Sequence, residues 1–409
     1  MLRLSLQEAQ QYAVEHNAAM QNADLDIKKA ELERWKTLST MLPSVKAGFD
    51  YQNMMGYKMS LGGFSIPMDP NGNFSITASV ALTGAQVVGA MLQNIAMQMS
   101  DITRQQTEQT TRANVKSIYV SILVMEQTVG LLDSSLANLE SLAATSQAAV
   151  NVGAAEQVDA DKLQVQVASM KSSINSTKRS LQALRNSMLL QLGADVNADL
   201  ELTTDVNDIL SVDNATQLLG QGFDITRNYN YQLLEQSEEL AKKNVTMAWM
   251  DFTPTLTAYY QYSKKVYFGE EGMNMTPPNM IGASISIPLL TSGTRYAGIK
   301  SAKIDYQETV NSRRQAEDGL RVQYNQLCYD LASALETYDI QSRNLDVTQR
   351  VFNNITEKYN YGRASSLEVT NASTDIISAQ SNYIQAVMNV VSAQIALENL
   401  INSEFGIKN

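Results

Sequence analysis

The sequence predicts a mixed fold, long antiparallel coiled-coil helices combined with strands suited to a membrane β-barrel, four strands per chain. Three observations carry this. First, the chain nearly repeats itself. An offset of 211, from Pro43 to Pro254, also brings Asn17 onto Asn228, Gln21 onto Gln232 and Tyr51 onto Tyr262. Further on, an offset of 209 brings Asn151 onto Asn360 and Gly153 onto Gly362. Second, apolar residues recur at alternating spacings of three and four over very long stretches, the signature of a coiled-coil seam. Third, after each of the two prolines the period changes to two, as in strands with one apolar and one polar face.

Each half reads in the same order. Residues from about 4 to 40 form a helix that starts near Ser5 and ends before Pro43; residues 224–250 do the same before Pro254. Val45, Ala47, Phe49, Tyr51, Met55, Tyr57, Met59 and Leu61 then alternate with polar residues as one long strand. A turn-rich segment follows at 62–73, and a second strand carries Phe74, Ile76, Ala78, Val80 and Leu82 on one face. In the second half, Leu256, Ala258, Tyr260 and Tyr262 form the first strand. A Gly-, Glu- and Pro-rich loop spans about 269–279, and Ile281, Ala283, Ile285, Ile287 and Leu289 form the return strand.

The heptads begin after the hairpins. One seam runs through Val115, Ile118, Ile122, Met125, Val129 and Leu132 to Val150, and its counterpart runs from Leu320 to Tyr359. The longest helices, roughly 86–150 and 294–360, would each reach ~100 Å at ~1.5 Å per residue. Each reverses at a short Asn- and Gly-bearing segment, residues 151–156 and 360–366, into a second helix from Leu163 or Val369 onward. The resulting division is a first repeat at 1–193, with hairpin 44–83 and helical pair 86–192. An intervening segment at 194–222 forms a side layer with a short helix near 213–220. A second repeat at 223–409 has hairpin 254–290 and helical pair 294–404.

Composition narrows the function. Only 18% of residues are charged and seven are proline, so long uninterrupted elements are allowed. A net charge of −11 makes nucleic acid a poor partner. The single Cys328 excludes an internal disulfide, and the single His16 excludes a multi-histidine metal site. No nucleophile elbow, phosphate loop or ligand cluster is present, so catalytic, cofactor and metal residues are all expected to be none. No run of eighteen apolar residues marks a transmembrane helix. The start, Met1 to Glu8, lacks the apolar core of a signal peptide. Either the protein is cytoplasmic or a signal was removed, and the strands favour removal.

Alternating strands fit a membrane barrel, with lipid outside and water inside, and they also fit a half-buried soluble sandwich. Two facts favour the barrel. Four strands are too few to close alone and lipid tolerates no open edge, so closure requires oligomers. The seams are rich in Ala, Ser, Thr and Gln, which suits helices packed on both sides around a hollow interior rather than a solid bundle. Three chains would supply twelve strands and twelve helical columns.

These residues together resemble the TolC-type outer-membrane efflux family. The strand starts Leu42–Val45 and Thr253–Leu256, the strand end Ser286–Leu289, and the hairpin tip from Tyr359 through Gly362 and Ser365 to Glu368 and Val369 carry the likeness. The ordered set spans essentially the whole chain. The resemblance implies a homotrimer in outer-membrane lipid, with a 12-stranded barrel and a periplasmic helical tunnel. It implies an exit duct for tripartite efflux pumps or type I secretion, working with a periplasmic adaptor (membrane fusion) protein and an inner-membrane transporter. It also implies a gate at the hairpin tips, carried here by Asp159, Asp161, Tyr359, Tyr361, Arg363, Glu368 and Asn371. Asp159 and Glu368 correspond within the internal repeat, each six residues past its glycine. Asn371 stands where many relatives have a second aspartate, and Ala364 where they have arginine. The small residues Gly153, Ala154, Ala155, Gly362, Ala364 and Ser365 would let adaptor hairpins approach closely. The rival is a non-channel periplasmic coiled-coil scaffold or adaptor protein, which needs the heptads but not the long two-faced strands.

Overall fold

A computed structural model describes residues 2–205, 212–269, 277–290 and 292–402. In chain order the elements are β1 (Leu2–Leu4), α1 (Leu6–His16), α2 (Ala18–Ser39), β2 (Ser44–Gln52), β3 (Lys58–Leu61), β4 (Phe64–Pro67), β5 (Asn71–Leu82) and α3 (Gly84–Asn151). After these come α4 (Gln157–Leu192), β6 (Leu200–Leu202), α5 (Val212–Leu219), α6 (Tyr229–Met250), β7 (Thr255–Tyr267), β8 (Asn279–Ser286), α7 (Thr294–Asn360) and α8 (Ser366–Ile401). The chain forms two compact units, each assembled from both sequence halves: one holds Met1–Leu25, Ile102–Gln232 and Gln315–Asn409, the other Asp26–Asp101 and Leu233–Arg314.

The second unit contains the main sheet, ordered β2-β5-β7-β8 and antiparallel throughout. Its register brings the alternating residues of all four strands onto common faces. Val45 lies opposite Ala78, Ala78 opposite Tyr260, and Tyr260 opposite Ile281. On the other face Ser44 lies opposite Ser79, Ser79 opposite Tyr259, and Tyr259 opposite Gly282. Gly282 leaves room for the neighbouring ring: a Cβ there would sit 2.6 Å from Tyr259 Cζ, and the ring would have to turn away. The apolar face is largely uncovered within the chain: Val45 is 69% exposed, Phe49 66% and Ile281 84%. β2 and β8 are the sheet's two edges.

Three expectations about this unit change. The return strand read through Ile287 and Leu289 ends at Ser286, where pairing with β7 stops at Thr255 just after Pro254. The strand read as continuous from Val45 to Leu61 is interrupted at 53–57, where the Asn53 side chain accepts from the Met55 N–H at 2.9 Å and Met55 and Gly56 adopt positive φ of 49° and 79°. The apolar alternation crosses this turn without a strand beneath it. The segment 62–73, read as turn, contains β4 and the start of β5. The actual turn is Gly62-Gly63, with φ of 56° and 95°, which closes the small β3–β4 hairpin as glycine pairs do. In the second hairpin the loop falls partly on residues 270–276, outside the described residues.

The first unit is helical. Its terminal helix begins with a capping box, Ser5 and Glu8 each bonding the other's backbone N–H. The helix expected over 4–40 is preceded by β1, which pairs in parallel with β6, and it breaks at Asn17. The buried Asn17 amide donates to the Gln191 carbonyl at 2.7 Å and accepts from the Ala19 N–H at 2.7 Å, holding the backbone extended at ψ 134°. Asn228 repeats the device before α6, donating to the Leu400 carbonyl at 2.8 Å. Asn17 and Asn228 correspond at offset 211, and Gln191 and Leu400 at 209. The joint is therefore built twice from equivalent residues.

Burial follows the heptads. Val115, Tyr119 and Ile122 of α3 pack with Leu6, Ala9 and Ala13 of α1 and with Met188 and Leu192 of α4. Val120 and Val124 pack with Val387 and Val391 of α8. By length and composition α3 and α8 each contain a window, mean hydropathy 1.3, apolar enough to cross a membrane; half of each window is buried in the chain, as packed coiled-coil faces are.

Candidate functional site

The site expected from sequence gathers at two helical turns of the first unit, α3 to α4 and α7 to α8. Both turns have one geometry. Gly153 has φ 74° and Gly362 φ 67°. The Ala154 N–H bonds the Ala149 carbonyl at 2.8 Å, and the Arg363 N–H bonds the Lys358 carbonyl at 2.8 Å. The Gly153 and Gly362 N–H groups bond the Val150 and Tyr359 carbonyls, each at 2.9 Å. These are Schellman-type C-caps, closed by a glycine in the left-handed region that other residues enter at a cost. A Cβ at either glycine would meet nothing within 4 Å, so the backbone angle and not crowding selects glycine.

The four helices that meet behind the turns share one core. Leu132, Leu139 and Leu142 of α3, Leu163, Met170 and Ile174 of α4, Phe352 of α7, and Val369, Ala372 and Ile376 of α8 form it, with Tyr359 packed against it. The Tyr359 ring occupies a heptad position, as Val150 does in the first half.

A polar line runs beside this core. Ser366, at the start of α8, donates to the Asp159 carboxylate in the first turn of α4. One heptad further, the buried Gln166 amide donates to Ser373 Oγ at 3.0 Å. Another heptad along α8, the Gln380 amide is buried without a hydrogen-bond partner among the described residues. The hydrogen bond from Ser366, helped by Lys162 at 3.4 Å, holds the Asp159 carboxyl below its ordinary range.

Glu368 performs local work that had not been assigned to it. Its carboxylate accepts from the Ser365 N–H at 2.7 Å and the Ser365 hydroxyl at 2.9 Å, while Ser365 Oγ accepts from the Glu368 N–H at 3.3 Å. This capping box at the start of α8 pushes the Glu368 carboxyl down, the backbone N–H being the main cause. Asp161 accepts from the Gln157 amide at 2.8 Å. Tyr361, Arg363 and Asn371 are exposed, as are Gly153, Ala154, Gly362 and Ser365, while Ala155 and Ala364 are half-buried. Phe352 lies on the seam that the heptads mark from Leu320 to Tyr359, whereas Ser366 was not singled out as a site residue. The Ser-x-x-Glu spacing at 365–368 did announce the capping box; nothing local announces the Ser366–Asp159 bond, which joins residues 207 apart. Among the described residues no three His, Cys, Asp or Glu side chains gather to hold a metal ion.

Residues 226–403 match the family model for outer membrane efflux proteins. The outer membrane efflux protein BepC of Brucella suis biovar 1 (strain 1330) is 20% identical over 300 residues, covering 71% of this chain and 63% of that relative's length. The outer membrane protein VceC from Vibrio cholerae superposes with a TM-score of 0.77 at 14% identity, over 98% of this chain and 96% of its own. The open state of the outer membrane channel MtrE from Neisseria gonorrhoeae gives 0.77 at 16% identity, over 98% and 89%. At these identities the structural likeness is one of fold. The chain thus resembles outer membrane efflux proteins in sequence, over residues 226–403 for the family model and over 300 residues for BepC, and outer membrane channels in fold over nearly its full length.

Proposed function

From this likeness to outer membrane efflux proteins, we propose that the chain is one third of a trimeric outer-membrane channel. The channel is the exit duct of a tripartite efflux pump or type I secretion system, passive itself and supplied by a periplasmic adaptor and an inner-membrane transporter. The repeats 1–193 and 223–409 each contribute a hairpin and a pair of helical columns, with 194–222 between them. The observation that carries the reading is the sheet: one continuous apolar face left exposed, one polar face, and free edges at β2 and β8. Unpaired edges are not tolerated in lipid, and three four-stranded sheets close into a ring without edges. A scaffold without a channel gives no reason for that exposed face.

The gate is assigned to the tips, with Asp159, Asp161 and Glu368 facing the axis near Tyr359, Tyr361, Arg363 and Asn371. Adaptor hairpins dock on Gly153, Ala154, Ala155, Gly362, Ala364 and Ser365. Planar-bilayer recording tests the channel: discrete conductance steps from an SDS-resistant, heat-sensitive trimer are expected, and a monomer without conductance overturns the reading. Glu368→Gln keeps a capping side chain at the same helix position and removes the charge, so block by multivalent cations should weaken. Unchanged block removes Glu368 from the gate. A bulky residue at Gly362 should abolish transport with trimer yield intact; loss of the trimer instead would make that glycine purely structural.

A further inference from the structure

All four junctions between helix and sheet lie in the second unit. α2 ends at Ser39 before β2, α6 ends at Met250 before β7, and α3 and α7 begin just after β5 and β8. They are close together: a Cβ at Gly84 would lie 2.7 Å from Met250 Sδ, and one at Gly89 3.5 Å from Thr37 Cγ2. Around them large aromatic side chains stand in the open. Trp35 is 61% exposed, Trp249 49% and Tyr296 61%. Trp249 and Phe252 form a tilted pair with centroids 6.0 Å apart. Cations accompany the rings, with the Arg295 guanidinium 5.7 Å over Phe252 and the Lys300 ammonium 4.7 Å over Tyr296.

The charge here runs against the rest of the chain. Net charge is −11, yet residues 294–304 hold Arg295, Lys300 and Lys303 and no carboxylate. Arg295, Lys300 and Lys303 have no ion pair among the described residues. Tyr296, Lys300 and Lys303 follow at i, i+4 and i+7 on the outward face of α7, while Ile299 between them is buried. Exposed Trp and Tyr with adjoining Lys and Arg, bordering an exposed apolar sheet face, is the chemistry of a headgroup layer. Stray surface cations would not need aromatic companions at the end of a lipid-facing sheet.

We propose that this junction is a binding surface for anionic phospholipid headgroups, whose phosphates accept hydrogen bonds from Arg295, Lys300 and Lys303 while the rings lie at headgroup depth. The proposal rests on the sheet being the membrane-embedded part. The test reconstitutes the full chain in vesicles of phosphatidylcholine alone or with phosphatidylglycerol, and counts retained phosphatidylglycerol by native mass spectrometry after gentle extraction. The wild type should retain phosphatidylglycerol preferentially. The triple variant Arg295→Gln/Lys300→Gln/Lys303→Gln should lose roughly five-fold in preference per cation removed, the scale of one Lys or Arg at an anionic surface. The double variant Lys28→Gln/Lys29→Gln, about two turns before Trp35 on α2, should retain the preference. Equal retention by the triple variant, or equal loss by the Lys28/Lys29 control, overturns the binding surface and leaves the channel reading intact. Failure of the wild type to insert in either vesicle overturns both.

Discussion

The two hairpin tips share a backbone and differ in side chains. Gly153 and Gly362 close the same C-cap with nearly the same φ, and the N–H groups that follow bond equivalent carbonyls. Yet α8 begins with a complete Ser365–Glu368 capping box, whereas α4 begins at Glu156 with no side-chain cap. Asp159, the counterpart of Glu368, turns to Ser366 on the other hairpin. The core differs in the same sense. Phe352 fills the centre of the shared cluster, and the equivalent first-half position is Ala143. The duplicated scaffold has kept the turn and divided the labour: the second hairpin supplies its own helix cap and the large core aromatic, and the first turns its carboxylate to the second.

The largest test of that asymmetry is Phe352→Ala. Truncating a fully buried aromatic should cost about 3–5 kcal/mol, against about 1 kcal/mol for Ala143→Gly from helix propensity. Hydrogen-exchange free energies of α4 and α8 would measure both, and equal losses would refute the division of labour. The joints at Asn17 and Asn228 should behave symmetrically instead. Either asparagine to alanine leaves a carbonyl without its donor, part-buried at Gln191 and buried at Leu400, at about 1–3 kcal/mol each. Unequal losses in denaturant midpoints would break the equivalence of the joints.

At the tips proper, Ser365→Ala should destabilise the first turn of α8 by about 1 kcal/mol, whereas Glu156→Ala should leave α4 nearly unchanged in amide exchange. The smallest effect is titration of Asp159. Its folded carboxyl lies below the ordinary 3.8, so the contact with Ser366 is fully present above that value. It is lost as pH falls through the lower folded value. Tip exchange in the wild type should therefore accelerate on acidification, and the Asp159→Asn variant should lose that part of the response. A wild type and variant with the same profile would show that the bond does not hold the hairpins together.

Much of this was legible in the chain. The long helices were expected at about 86–150 and 294–360 and run over Gly84–Asn151 and Thr294–Asn360. Heptads and Gly-bearing breaks are local signals, fixed by a helical period and by one backbone angle. The breaks at Asn17 and Asn228 were less legible, because an asparagine in an amphipathic helix reads as a surface residue until its carbonyl partner, over 170 residues away, is known. The strand assumed across residues 53–57 failed for the opposite reason. The two-residue alternation continued, while Asn53 and Gly56 supplied a turn that the alternation could not express.

By itself the sequence determined the duplication, the helix lengths, the positions of the two tips and the two faces of each strand, since each follows from periodicity and turn chemistry over short range. Only the tertiary structure decided how the strands align to make one apolar face, that Ser366 captures Asp159, and that aromatic rings and cations of separate segments meet at the helix–sheet junctions. Those facts depend on residues far apart in the chain, and a repeat seen in one dimension does not say which of its two copies will satisfy the other.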